Sequence, residues 1–240
     1  MSSTAGKIYL IPTPLSETNI VSSDIPYNNS IIERLRFFVV EELRTARRFL
    51  RKISPDFPID DCQFHILNEH TISTLNLDEI TQEVIKGKDI GIMSEAGLPC
   101  IADPGSELVA LAHRKSIQVI PLVGASSLFM ALMASGLCGQ KFAFHGYLPT
   151  DKNELTNTIR KLEQQSRTEK QTQIFMETPY RNIQMLEFLL KYCHDETLLC
   201  IACNITGDDE YIQTKSIIQW RKSKLPALHK KPTVFVLSTN

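Results

Sequence analysis

The sequence predicts an α/β fold of two lobes, and three observations carry that expectation. Short β-branched or apolar runs alternate with helical patterns along most of the chain, the alternation breaks once in the polar stretch from Thr150 to Lys170, and strand and helix patterns then resume. At 240 residues, 42% hydrophobic and 22% charged, the chain has the length of one large domain or two small ones and the composition of an ordinary globular protein.

The elements follow in order. Strand candidates are KIYLI (7–11), FFVVE (37–41), FHIL (64–67), IGIMS (90–94) and IQVIPL (117–122), each a short run of strand-favouring residues. In NLDEITQEVIKG, Leu77, Ile80, Val84 and Ile85 fall on one helical face; Asn76 with Glu79 resembles a capping box, and Gly87 suits the position after the helix. The apolar run SSLFMALMASGL (126–137) is far shorter than the roughly 20 residues of a membrane-spanning helix, and the N-terminus lacks a signal-peptide layout, so a cytoplasmic protein with no membrane partner is expected. A linker over 147–153 is expected to divide a lobe of residues 1–146 from one of residues 154–240. In the second lobe Leu155, Ile159 and Leu162 make a thin apolar stripe, the strands are TQIFME (172–177), TLLCIAC (197–203) and PTVFVLS (232–238), and the helices cover 180–192 and 214–222.

Six cysteines are scattered through these apolar segments, without the density of a disulfide scaffold. Cys200 and Cys203 form a CxxC, but it lies in an apolar run with no second CxxC and no nearby pair of histidines to complete a zinc site, so a buried strand with reduced thiols is expected and no metal site. A net charge of −1 provides no global attraction for nucleic acid. Local runs differ: residues 33–52 hold seven basic and three acidic side chains, and residues 215–231 hold six basic and none acidic. Such runs are solvated faces or phosphate-binding surfaces.

Parallel α/β sheets bind ligands at the carboxyl ends of their strands, which directs attention to the loops PTPLSE (12–17), SEAGLPCIADPG (94–105), VGASS (123–127), METPYR (176–181) and NITGDDE (204–210). Any one of them reads as a turn, and Asp103-Pro104-Gly105 as a helix start; their joint occurrence after successive strands points to a site. Ser126 and Ser127 open a helix, where N–H groups and hydroxyls suit a carboxylate or a ribose. The glycine fingerprints of dinucleotide and P-loop sites, the nucleophile elbow and HExxH are all missing from the sequence. Chemistry that uses neither a protein nucleophile nor a metal is the natural candidate.

The segments KIYLIPTPL, VEELRTARRFL, NEH, SEAGLPCIADPGSELVALA, IPLVGASSLFMALMASGL, FAFHGYLP and IFMETPYRNIQMLEFL occur in the order and spacing of the tetrapyrrole methylase superfamily. Nearly the whole chain resembles it, most closely the branch that 2′-O-methylates a cytidine ribose in small-subunit ribosomal RNA. The resemblance implies two α/β lobes with S-adenosylmethionine in the cleft between them, and often a homodimer. It implies cofactor contacts from Leu15, Glu95, Gly97, Pro99, Cys100, Ser126 and Ser127, with Met176, Glu177, Pro232 and Thr233 from the second lobe.

The chain also departs from that branch. Glu95 and Glu42 stand where it has aspartate, VGASS stands where it has PGPSA, and Cys203, Asn204 and Gly207 replace an arginine, a glutamate and a lysine. Methyl transfer from a sulfonium requires donor and acceptor to be held close, and a ribose hydroxyl must also lose its proton. Glu42, Glu69 and His70, at expected strand ends, are the acid/base or positioning candidates, with surface salt bridges or loop hydrogen bonds as the alternative. Arg44, Arg47 and Arg48 are the candidates for contacting substrate phosphates, Arg44 having Glu41 as another possible partner. His145 is expected to be a satisfied core or interface histidine. The competing functions are methylation of a tetrapyrrole or other small molecule, and a degenerate relative that binds cofactor or RNA without turnover.

Overall fold

In the structure, a computed structural model, residues 5–16, 25–71 and 73–239 are described. The chain forms two compact units, Met1–Ala125 and Ser126–Asn240, each containing its own five-stranded sheet.

The first sheet is wholly parallel. Its strands β1 (Lys7–Ile11), β2 (Phe37–Val40), β3 (Gln63–Ile66), β4 (Ile90–Met93) and β5 (Gln118–Pro121) run in the order β3-β2-β4-β1-β5. Successive residues feed opposite cores, which is why the inner strands are apolar without alternation. Tyr9, Ile11, Phe38 and Val40 join the core that α1 (Pro26–Ile32) and α2 (Leu43–Ile53) cover. Ile8, Phe37, Val39, Ile90 and Ile92 join the core under α3 (Leu77–Ile85) and α4 (Ser106–Arg114). Asn76 caps α3 by accepting the Glu79 N–H at 3.2 Å. Because all five strands are parallel, their carboxyl ends and the loops leaving them gather along one edge of the sheet.

The second unit begins with α5 (Ser127–Ser135), which packs on three strands of a mixed sheet. The five strands of this sheet are β6 (Phe142–Tyr147), β7 (Thr172–Glu177), β8 (Leu198–Cys203), β9 (Tyr211–Ser216) and β10 (Thr233–Ser238), in the order β6-β7-β10-β8-β9; α5 lies on β8, β9 and β10. β10 is antiparallel to both β7 and β8. The core gathers the apolar stripe of α6 (Lys152–Glu169), namely Leu155, Ile159 and Leu162, with Met185, Leu186 and Leu189 of α7 (Asn182–Tyr192) and Ile217 and Trp220 of α8 (Ile217–Lys222). The Trp220 indole N–H donates to the Leu199 carbonyl at 2.8 Å, so the largest fully buried side chain leaves no polar atom unsatisfied. Cys200 and Cys203 lie buried as free thiols in β8. Among the described residues no group of side chains is arranged to hold a metal, and no helix is long and apolar enough to cross a membrane.

The division falls at Ala125/Ser126, earlier than the boundary at 146/147 expected from the sequence. FAFHGY pairs with the downstream strand β7, Phe142 opposite Thr172 and Phe144 opposite Ile174, and that partner was invisible to a local reading. The expected linker at 147–153 is the short turn between β6 and α6, where Asp151 caps the helix by accepting the Asn153 and Glu154 N–H groups. The expected helix over 214–222 is also divided. Tyr211–Ser216 pairs antiparallel with β8, and the helix starts only at Ile217, where Ser216 and Gln219 form a reciprocal capping box.

Candidate active site at the sheet edges

In the first unit, the loops leaving β1, β2, β4 and β5 are tied to one another. Thr13 and Gly97 form a two-bond bridge, Thr13 N–H to Gly97 O at 2.9 Å and Gly97 N–H to Thr13 O at 3.1 Å. The Glu41 N–H donates to Met93 O, and the Glu41 carboxylate accepts the Glu95 N–H at 2.9 Å. From the β5 side, Gly124 lies against Pro12 so closely that an added Cβ would stand 2.1 Å from the Pro12 Cβ. The last residue of the first loop, Glu17, lies outside the described residues.

The 94–105 loop turns four times through the left-handed region, at Gly97 (φ +81°), Cys100 (+69°), Ala102 (+64°) and Gly105 (+125°). For Cys100 and Ala102 that conformation costs roughly 1 kcal/mol or more each, a strain that persists only where surrounding contacts over-determine the backbone. The loop ends as the expected helix start, with Gly105 of Asp103-Pro104-Gly105 as the N-cap of α4.

The field along this edge is acidic. Burial, reinforced by Glu41, pushes the Asp103 carboxyl up to about 6. Burial, then Glu41 and Glu42, raises Glu95 as well. The Cys100 thiol is pushed up to about 11, chiefly by burial, and stays protonated at neutral pH. Glu42 moves the other way. It is the N-cap of α2, accepting the N–H groups of Arg44 (2.9 Å) and Thr45 (2.6 Å) and the Thr45 hydroxyl (2.9 Å), bonds that hold its carboxyl below the usual range. Its carboxylate is engaged in starting a helix.

Glu69 and His70 sit on the loop after the edge strand β3, 3.5 Å from each other and both more than four-fifths exposed. The Asn68 side chain accepts the His70 N–H, so this pair has the geometry of a surface ion pair on a loop. Of the three arginines, Arg47 lies over the Phe64 ring at 5.4 Å, Arg44 is exposed at the start of α2, and Arg48 lines a cavity with Leu15 and Glu95. His145 meets Gln173 Oε1 at 2.6 Å, a satisfied partner between neighbouring strands.

The second unit has a corresponding edge, built differently. Because β10 runs against β7 and β8, Thr233 at its start lies opposite both Glu177 and Cys203 at their ends. Met176 and Glu177 at the end of β7 are thereby brought beside Pro232 and Thr233 at the start of β10. Glu177 is buried; its Oε1 accepts the Thr178 N–H at 2.8 Å and its Oε2 lies 3.3 Å from Arg181. Ser126 is the buried N-cap of α5 and makes no side-chain bond to its own helix; Ser127 is the first helical residue. The 204–210 turn closes on itself: the Asn204 amide donates to Asp209, the Thr206 N–H donates to Glu210 at 2.7 Å, and Lys231 pairs with Asp209 at 2.5 Å. Lys231 thus brings a cation to the end of the sheet where Gly207 has no side chain.

Four residues of these edges escaped the sequence reading: Thr13, Glu41, Asp103 and Arg181. Only Arg181 had a local signal, its i,i+4 spacing from Glu177 across the β7 to α7 turn. Glu41 was legible only as a partner for Arg44, and Asp103 only as part of the helix start that ends at Gly105.

The profile of the Tetrapyrrole (Corrin/Porphyrin) Methylases matches residues 30–218. Among curated relatives, the Ribosomal RNA small subunit methyltransferase I of Synechocystis is 29% identical over 201 residues, covering 84% of this chain and 67% of the relative. The protein of that name from Halalkalibacterium halodurans is 31% identical over 186 residues, covering 77% and 60%. That from Buchnera aphidicola subsp. Schizaphis graminum is 27% identical over 243 residues, covering 97% and 78%. The chain therefore spans between 60% and 78% of the length of these three relatives. With the profile covering most of both units and two sheets of the expected α/β kind, the chain belongs to the tetrapyrrole methylase family.

Proposed function

We propose that this protein is an S-adenosylmethionine-dependent methyltransferase that modifies a ribose hydroxyl of small-subunit ribosomal RNA. The observation that carries the reading is the acidic, backbone-strained 94–105 loop of the first unit, held to the β1 and β2 loops by Thr13 and Glu41, in a chain whose relatives are named ribosomal RNA methyltransferases.

The residues suit the cofactor chemically. Glu41, Glu95 and Asp103 make a negative field that favours a sulfonium cation, Ser126 at the start of α5 offers a hydroxyl and helix N–H groups to a carboxylate, and the buried Glu177 accepts hydrogen bonds. Leu15, Gly97, Pro99 and Cys100 are the proposed contacts from the first unit, with Ser127, Met176, Pro232 and Thr233 from the second. Bound there, S-adenosylmethionine would supply an activated methyl group on a positively charged sulfur.

The chain's own work is positioning, water exclusion and removal of the hydroxyl proton. A proton acceptor is most effective when its pKa lies near the working pH. Asp103 and Glu95 are shifted towards that range and Glu42 away from it, so the acceptor role moves from Glu42 to Asp103, with Glu95 beside it. Glu69 and His70 are left as candidates for positioning RNA at the rim. A cytoplasmic homodimer is proposed on the family resemblance, and sedimentation velocity tests the dimer.

Calorimetric titration with S-adenosylmethionine and S-adenosylhomocysteine, repeated on Ser126→Tyr, tests the cofactor. Saturable binding lost in the variant supports the site, and no binding at millimolar cofactor defeats it. Transfer of tritiated methyl to small ribosomal subunits tests the acceptor. Label appearing only in a tetrapyrrole or another small molecule would favour the second reading. Cofactor binding without transfer to any acceptor would mark a non-catalytic relative.

A further inference from the structure

The 33–52 segment carries seven basic residues; Arg44 is exposed at the start of α2, and the fold sorts the other six. Arg36 donates to the Glu33 and Leu35 carbonyls and lies over the Phe57 ring. Arg34 donates to Ser30 O. Arg47 and Arg51, one helical turn apart on α2, are directed to the Phe64 ring and to the Pro55 carbonyl. Arg48 and Lys52, also one turn apart, share a different face and line a cavity of about 240 Å³ together with Pro14, Leu15 and Glu95.

The lining of this cavity carries both charges. Two cations come from α2, and Glu95, a hydrogen-bond acceptor whose own N–H is held by Glu41, comes from the 94–105 loop. A nucleotide carries the complementary groups, a phosphate and ribose hydroxyl donors. The volume is below the roughly 300–1,000 Å³ of whole small-molecule sites, and so admits part of a chain rather than a macrocycle.

Resting on the RNA reading above, we infer that Arg48 and Lys52 form a phosphodiester subsite that seats the RNA backbone next to the 94–105 loop, with Glu95 facing the ribose. Arg47, despite its place in the same basic run, has no part in it. Neutralising two phosphates with two side chains sets a definite salt dependence, because each phosphate contact on single-stranded nucleic acid contributes about 0.7 to the slope of log K against log salt.

The test is fluorescence anisotropy of a short labelled single-stranded RNA over a range of salt, with wild type, Arg48→Gln/Lys52→Gln, the charge-keeping Arg48→Lys/Lys52→Arg, and Arg160→Gln/Lys161→Gln on the exposed face of α6 as a charge-matched control. S-adenosylmethionine binding is measured on each by calorimetry. The first double variant is expected to bind RNA about tenfold more weakly, with a slope shallower by about 1.4, while the charge-keeping and α6 variants keep the wild-type slope and all four bind cofactor alike. An unchanged slope in Arg48→Gln/Lys52→Gln, or an equal loss in the α6 control, overturns the subsite while leaving the RNA reading standing. Cofactor binding lost in place of RNA binding overturns it too, since the anion held there would be the cofactor's carboxylate. If wild type binds no RNA at any salt, the acceptor reading fails and takes the subsite with it.

Discussion

The two units reach similar ends by different routes. In the first, five parallel strands deliver every loop to one edge, and the chemistry lies in how those loops are tied together. In the second, β10 enters against its neighbours, so Thr233 at a strand start meets Glu177 and Cys203 at strand ends. The first edge is strained and acidic, with left-handed Cys100 and Ala102 and raised carboxyls. The second sets its carboxylates against cations, Glu177 by Arg181 and Lys231 by Asp209, and carries left-handed residues of its own at Asn204, Thr206 and Lys230. The difference is one of charge: in the first unit burial and neighbouring carboxylates raise Asp103 and Glu95, whereas in the second the carboxylates at the sheet edge face cations.

The comparison is broken most severely through the second core. Trp220→Ala removes the largest fully buried side chain and its bond to Leu199 O, and should cost the second unit about 4 kcal/mol. Hydrogen exchange should then show the amides of β8 and β10 losing protection while those of β1 and β4 keep it; uniform loss would mean the units do not unfold separately.

In the first unit the equivalent blow is Gly124→Ala. The new methyl would collide with Pro12, and overpacking of this kind costs up to about 3 kcal/mol. Urea denaturation should report that loss, with weaker S-adenosylmethionine binding alongside it; wild-type behaviour in both would remove the Gly124–Pro12 contact from the account of the site.

Asp103→Asn separates stability from activity. Because its folded pKa of about 6 lies above the ordinary 3.8, the contribution of the protonated group is full below about pH 4 and lost as the pH rises through about 6. After discounting for solvent screening, the variant should exceed wild type by about 1 kcal/mol at neutral pH and match it near pH 4. As the proposed proton acceptor it should also lose about a hundredfold in kcat. Urea melts across pH and single-turnover methyl transfer measure the two, and unchanged turnover would return the acceptor role to another group.

The smallest effect is expected at Glu42→Ala. Loss of the cap should cost about 1 kcal/mol and leave kcat within a few-fold of wild type; a collapse of kcat without loss of stability would reverse the roles assigned to Glu42 and Asp103.

Much of this was legible in the sequence, and what was not has one kind of cause. Periodicity located the five strands of the first sheet and three of the second, because alternating or continuous burial is written locally in residues such as Phe37–Val40 and Thr172–Glu177. Pro and Gly marked the loops, since the backbone turns they permit are local too. By itself, then, the sequence determined which residues form strands, which loops leave them, and through motif order the family. The tertiary structure alone decided that FAFHGY belongs to the second sheet, that β10 runs against its neighbours, and that Glu41 holds the Glu95 N–H from 54 positions away. Those outcomes depend on partners distant in the chain and on how much water is excluded around a carboxylate, neither of which a short stretch of sequence contains.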